Sequence, residues 1–209
     1  MNWMDMTLRE YQAALASSSP TPGGGTAAAV ALGQASALSI MVCDLTLGRD
    51  KWKDGWAIAE EVQLLAIPLL SQSGDLAKAD SDAFEEVMAC FSMPKETDDD
   101  KQAGREAIRQ TTLGAAAVPL ETAQHAMNLL MKLPSLAKHG NANAVTDVGV
   151  ASLLASAAAK GALFNVEINL QSLPEEMGLE LRQQLPSMKK AIRTSPREVM
   201  DQVRNRMED

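Results

Sequence analysis

Large aromatic side chains are scarce in this sequence: one Tyr, three Trp and three Phe among 209 residues. The core must therefore be built from Ala, Leu, Val, Ile and Met, side chains that suit closely packed helices. Cysteine is nearly absent too. Cys43 and Cys90 lie far apart, each inside an apolar helical pattern, which argues against a disulfide framework and fits buried thiols in a reducing, cytoplasmic compartment. Basic charge is in deficit: 19 Lys and Arg against 27 Asp and Glu give a formal net charge of -8. A phosphate backbone or an anionic membrane demands a basic face, so neither nucleic-acid nor membrane binding is expected. The two histidines, His125 and His139, lie outside any metal-ligand spacing, so no metal site is expected. The start, "MNWMDMTLRE", has neither a basic head nor an apolar signal core, and no segment approaches the ~20 apolar residues of a membrane span.

Strand signals are missing as well, whereas helical spacing recurs in almost every window. The expectation is a single all-α domain over residues 1–209, a bundle of long, partly kinked helices. A short helix is predicted over Leu8 to Ala16 and a central, mostly buried one over Thr26 to Leu47. A long segment runs from Trp56 to Phe91, with a kink or break at Pro68 or Gly74. Thr97 followed by acidic residues starts another, from Asp98 to Lys132, with a kink at Pro119. A small-residue helix covers Thr146 to Leu170. A polar one, Glu175 to Asp209, packs outside or against a second subunit.

Three stretches could carry chemistry. In "GDLAKADSDAFEEVMACF", residues 74–91, Leu76, Phe84, Val87 and Phe91 form a stripe at helical spacing, and Asp80 occupies a place in it where a leucine is expected. Asp82 lies roughly 200° away around the helix, on the solvent side with Glu86. Two readings of Asp80 stay open. Facing an apolar pocket, it would have a raised pKa suited to acid–base work; alternatively it caps or terminates a helix after Gly74, with its oxygen on a backbone N–H.

The run "SPTPGGGTAAA" places Gly23, Gly24 and Gly25 where a helix begins. Bare backbone there could receive a ligand's oxygen or allow a close helix approach. It lacks the Lys-Ser/Thr ending of a P-loop and follows no strand, so nucleotide binding is not expected. In "GNANAVTDVGVA", Asn141, Asn143, Thr146 and Asp147 cluster at another helix start, more polar groups than one cap requires. Asn165 and Asn169, four residues apart in a helix suited to burial, need partners, either a pocket or neighbouring helices.

Taken together, "SPTPGGGTAAA", "DSDAFEEVMACFSMPKET" and "GNANAVTDVGVA" with "GALFNVEINL" resemble the cyclodeaminase domain of the formiminotransferase-cyclodeaminase family, which includes stand-alone methenyltetrahydrofolate cyclohydrolases. The resemblance spans residues 8 to 172. It implies an all-helical homodimer that acts on a reduced folate without cofactor, metal or nucleotide. The family's catalytic carboxylate, in an Asp-x-(acidic)-Ala-Phe pattern, falls on Asp80. The substrate-binding loops fall on Gly23, Gly24 and Gly25 and on Asn141, Asn143 and Asp147. A proline common after the first Asn of the second loop is replaced in "NANAV". The formiminotransferase portion has no counterpart, so a free substrate, made by a separate formiminotransferase, is expected. Lys95, with Arg49, Lys51, Lys53 and Lys138, is a candidate partner for an anionic polyglutamate tail. The implied reaction is formiminotetrahydrofolate cyclodeamination; cyclohydrolase activity on methenyltetrahydrofolate and a non-enzymatic folate-binding or scaffold role are the alternatives.

Overall fold

The structure, a computed structural model, describes residues 2–208. Six helices carry the chain: α1 (Leu8–Leu15), α2 (Gly24–Thr46), α3 (Trp56–Phe91), α4 (Asp98–His139), α5 (Val145–Gln171) and α6 (Leu179–Glu208). No strand occurs among the described residues. Short connections make α2, α3, α4 and α5 run alternately up and down. They close into a four-helix bundle in which α2 touches α3 and α5, and α4 touches the same two helices. Helix α6 lies outside, in the groove between α4 and α5.

The shortage of aromatics is visible in the packing. Ala29, Ala35, Ala59, Ala66, Ala77, Ala123, Ala151, Ala155, Ala158 and Ala162 are fully buried, and Leu32, Leu129, Leu133 and Val166 fill the space between them. Small side chains let the helix axes come close, and the buried hydroxyls of Ser36, Ser39 and Thr46 return to carbonyls four residues back on α2. These bonds satisfy polar groups in a dry core without a partner helix.

Helix boundaries follow local chemistry. Thr97 caps α4 in a reciprocal capping box with Asp100. Helix α2 ends before Gly48, whose φ of +70° lies in the left-handed region that glycine adopts without strain. The expected break at Pro68 or Gly74 does not occur. Helix α3 is continuous because Pro68 stands on the exposed face, where water can serve the carbonyl that proline's missing N–H leaves free. Helix α4 likewise passes Pro119 and then Pro134, running seven residues beyond the expected end at Lys132. Helix α6 starts at Leu179 rather than Glu175, and Asp209 lies outside the described residues.

The expectation about apolar length also needs correcting. Gly24–Thr46 and Ala142–Gln171, with mean hydropathies of 1.6 and 1.3, are long and apolar enough to cross a membrane by length and composition. In the bundle, 56% of each apolar window is buried against other helices.

Candidate active site

At one end of the bundle the first turn of α2 meets the later half of α3. Gly23 is the N-cap of α2 and supplies no side-chain hydrogen bond to the helix start, so the N–H groups of the first turn need partners from elsewhere. One partner is Asp80. Its carboxylate accepts hydrogen bonds from the Thr26 hydroxyl, Oγ1 to Oδ2 at 3.0 Å, and from the Thr26 backbone N–H. Asp80 therefore does not cap or terminate a helix after Gly74: it lies inside the continuous α3, its carboxylate reaches the first turn of α2, and it borders a cleft.

Burial is the larger influence on this carboxyl and pushes its pKa above the ordinary carboxylate value; the two Thr26 hydrogen bonds pull the other way without cancelling it. Among the described residues Asp80 forms no ion pair. Asp82 is solvent-exposed and paired with Lys78.

Gly25 explains the closeness of approach. A Cβ there would stand 2.6 Å from Asp80 Cγ and 2.8 Å from Oδ2, and nearer still to Oδ1. No side chain fits between α2 and that carboxylate. At Gly24 a Cβ would meet only Asn165 Nδ2 at 3.8 Å, and at Gly23 only the Pro20 carbonyl oxygen at 3.6 Å, both ordinary contacts.

The cleft above Asp80, about 350 Å³, is lined by Gly23, Gly24, Gly25, Phe84, Asn165 and Asn169 among others. The apolar stripe of α3 leaves the core here: Leu76 is buried, whereas Phe84 is 40% exposed and forms a wall of the cleft. The two asparagines combine the readings left open for them. Asn165 Nδ2 donates to the Gly161 carbonyl at 2.9 Å. Asn169 Nδ2 donates to the Ala115 carbonyl on α4 at 3.0 Å. Ala115 is four residues before Pro119, so its carbonyl has no helical N–H to accept; Asn169 replaces the missing donor and helps α4 stay helical. Each Nδ2 spends one of its two hydrogens on these bonds, and each amide keeps further hydrogen-bonding capacity beside the cleft.

The other expected site residues lie elsewhere. Asn141, Asn143 and Asp147 line a recess of about 920 Å³ with Arg49, Lys51 and Trp52, at the far end of α2, about 34 Å from Gly24 by helix rise. Asn141 is committed to structure: its backbone N–H donates to Thr46 Oγ1 at 3.0 Å, its Nδ2 to the Leu45 carbonyl at 2.8 Å, and its Oδ1 accepts from the Asn143 N–H. Lys95 borders a third, shallow recess of about 210 Å³ with Cys90 and Arg105, on the α3–α4 connection. Within one chain, then, Asp80 and the glycines come together, and the second loop and Lys95 stay apart from them.

Sequence reasoning did not single out Thr26 or Ser81. Each adjoins a residue it did choose, Gly25 and Asp80, and a hydroxyl beside a lone buried carboxylate was the available signal.

Comparisons with known proteins agree on one group. The family model described as formiminotransferase-cyclodeaminase matches residues 7–185. The chain is 34% identical over 176 residues to a methenyltetrahydrofolate cyclohydrolase from Methylorubrum extorquens, covering 84% of this chain and 85% of that protein. It is 34% identical over 173 residues to the formimidoyltransferase-cyclodeaminase of Gallus gallus, covering 81% of this chain but 31% of that protein. The fold matches the crystal structure of formiminotetrahydrofolate cyclodeaminase from Thermotoga maritima with a TM-score of 0.85 and 26% identity, over 97% of this chain and 98% of that one. With the match spanning α1 to α5 and both ends of the cleft, the chain belongs to the formiminotransferase-cyclodeaminase family.

Proposed function

We propose that the protein is a formiminotetrahydrofolate cyclodeaminase in which Asp80 is the acid–base group. The observation that carries this reading is a partly buried carboxylate with a raised pKa, held from one side by Thr26 and open to a cleft bordered by bare glycine backbone and the side chains of two asparagines. In the reaction, the substrate enters with its formimino nitrogen protonated, and N10 of the folate attacks the formimino carbon on N5. The N10–C bond forms, the N10 proton passes to Asp80, and Asp80 returns a proton to the formimino nitrogen. The C–N bond then breaks, and ammonia leaves methenyltetrahydrofolate. Protons balance on one carboxyl, which needs a pKa closer to neutrality than a free aspartate has. The side-chain amides of Asn165 and Asn169, each able to donate and accept, suit the polar edge of a pterin, and fixing both nitrogens at attack distance supplies the proximity term.

A second reading is favoured by the relative of comparable length, which is named a methenyltetrahydrofolate cyclohydrolase. There water replaces the intramolecular nitrogen, with Asp80 taking its proton. One assay separates the two. Purified protein is offered each folate while methenyl absorbance and ammonia are followed. Methenyl formation with ammonia identifies a cyclodeaminase, accelerated methenyl loss without ammonia a cyclohydrolase. Absence of both reactions refutes both readings and returns weight to a binding role.

We propose further that the unit is a homodimer paired through the outer faces of α2 and α5. On α5, Phe164 is 69% and Ile168 61% exposed, and Leu153, Met41 and Leu45 continue the apolar surface. Two adjacent helices about 34 Å long and together about 20 Å wide present roughly 700 Å², near the ~800 Å² per partner of a stable interface. An antiparallel two-fold pairing would carry the partner's Arg49 and Lys51 toward the Asp80 cleft, where an anionic folate tail needs cations. Sedimentation should give a dimer for the wild type and a monomer for Phe164→Asp; a monomeric wild type refutes the pairing. A cytoplasmic setting is part of the same proposal, supported by the unpaired thiols of Cys43 and Cys90, as is supply of the substrate by a separate formiminotransferase.

A further inference from the structure

Asp80 stands at the end of a hydrogen-bond chain that begins near the amino terminus, at Trp3. A 3-10 turn, Trp3–Asp5, is capped by Asn2, whose side chain accepts from the Met4 N–H at 2.9 Å. The turn lies against α3 at Gly74, where a Cβ would meet Asn2 and Met4 at about 3 Å. From there the Trp3 indole Nε1 reaches Ser81 Oγ at 2.9 Å. Ser81 is 4% exposed, and its Oγ lies 3.1 Å from Thr26 Oγ1 and 3.4 Å from the Ala77 carbonyl. Thr26 Oγ1 in turn lies 3.0 Å from Asp80 Oδ2.

The donor inventory gives this chain one direction. An indole N–H only donates, so Ser81 Oγ accepts from Trp3. Thr26 spends its one hydrogen on Asp80 Oδ2, so the Ser81 hydrogen goes to Thr26 Oγ1, the nearer of its two acceptors. Donation by the indole polarises Ser81 into a better donor and a poorer acceptor; without it Ser81 competes with the carboxylate for the Thr26 hydrogen, and a Thr26 hydroxyl turned toward Ser81 is lost to Asp80. We infer that Trp3 is a positioning residue for Asp80, acting through Ser81 and Thr26 to keep Oδ2 an acceptor and to leave Oδ1 as the oxygen that exchanges protons in the cleft. The inference rests on the acid–base role proposed for Asp80.

The sign of the effect follows from the Thr26 bond, which favours the charged carboxylate; weakening it raises the Asp80 pKa. Other charged groups around the site are engaged or exposed. Lys78 pairs with Asp82 on the same helix, Glu85 accepts from the Thr21 hydroxyl, Glu167 on α5 pairs with Lys189, and Asp5 on the Trp3 turn is exposed. The elements facing Asp80 from α2 and α4 bring glycines, Thr26 and Ala115 to the cleft, none of which titrates there.

The test is Trp3→Phe, which keeps a ring and removes the N–H. The ascending limb of the kcat/KM–pH profile should move to higher pH, and kcat on that limb should fall roughly 2- to 10-fold, the worth of one partly lost hydrogen bond, with KM within twofold. Thr26→Val should shift the limb the same way, and Trp3→Phe added to it should cause no further shift. A lowered Tm with an unmoved limb means that Trp3 is only packing and overturns the inference, as does an additive shift in the double variant. ¹³C NMR titration of Asp80 Cγ in wild type and Trp3→Phe provides a reading independent of turnover. If the wild type turns over neither folate, the functional proposal fails alone, and an Asp80 pKa unchanged by Trp3→Phe still refutes the chain.

Discussion

Gly25→Ala puts the site geometry to its sharpest trial. The added methyl would stand 2.6 Å from Asp80 Cγ, whereas carbon atoms in contact sit at about 3.5–4.0 Å, so the carboxylate must retreat by about 1 Å. That retreat breaks the 3.0 Å bond from Thr26 Oγ1 and the bond from the Thr26 N–H. Hydrogen bonds to a charged group contribute ~1.5–3 kcal/mol, while alanine in place of glycine returns at most ~1 kcal/mol to the helix. With both bonds lost the net destabilisation is roughly 2–5 kcal/mol, or ~4–20 °C in Tm for a chain of this size. Turnover of the folded enzyme should fall about 100-fold, because a 1 Å misplacement of a reacting group costs that much. Gly24→Ala and Gly23→Ala, whose new methyls meet neighbours at 3.8 and 3.6 Å, should stay within about threefold of wild type. Steady-state kinetics with thermal melts on all three proteins decides the matter. A Gly25→Ala enzyme with near-normal kcat, or equal losses in all three, refutes the steric argument and points to backbone flexibility instead.

Other consequences can be measured on the same protein. Asp80→Asn should reduce turnover at least ~100-fold yet melt higher than wild type near neutral pH: the folded chain holds this proton more tightly than the unfolded chain, so the wild type gains stability below the ordinary carboxylate pKa and loses it as pH rises through the raised one. The Tm difference should close as the solution is acidified; a difference independent of pH assigns it to packing. Asn169→Leu strands the Ala115 carbonyl and should cost ~1–3 kcal/mol, and less in a Pro119→Ala background, where the backbone N–H can serve that carbonyl; a double-mutant cycle with no coupling refutes the replacement of donor by amide. Burial, with a smaller contribution from Asp44, pushes the Cys43 thiol up to about 12, so a thiol reagent should label Cys90 quickly in the native protein and Cys43 only on unfolding.

Several elements were legible in the residues alone because their causes are local. Thr97 with Asp100 announces a helix start through a reciprocal cap that needs no third element, and the edges of α2 and α3 follow from Gly48 and from apolar spacing. Asp80 was legible as a misfit in an apolar stripe. The break allowed for in α3 is absent for a physical reason: a proline frees a carbonyl four residues back, and whether that breaks the helix depends on what can replace the donor. At Pro68 the carbonyl faces water; at Pro119, expected inside a helix, the Ala115 carbonyl takes its donor from Asn169, more than fifty residues away in sequence.

The sequence by itself determined the helical class, the scarcity of large rings in the core, the capped starts and the presence of one carboxylate where a leucine belongs, since composition, propensity, periodicity and caps need no knowledge of which helices meet. Tertiary structure alone decided that Asp80 caps α2 rather than its own helix, that Gly25 and not its two neighbours must lack a side chain, that Trp3 reaches the carboxylate through two hydroxyls, and that Asn141, Asn143 and Asp147 stand a helix length away. Those four facts depend on which faces of helices distant in sequence meet, and that is settled by packing across the whole bundle.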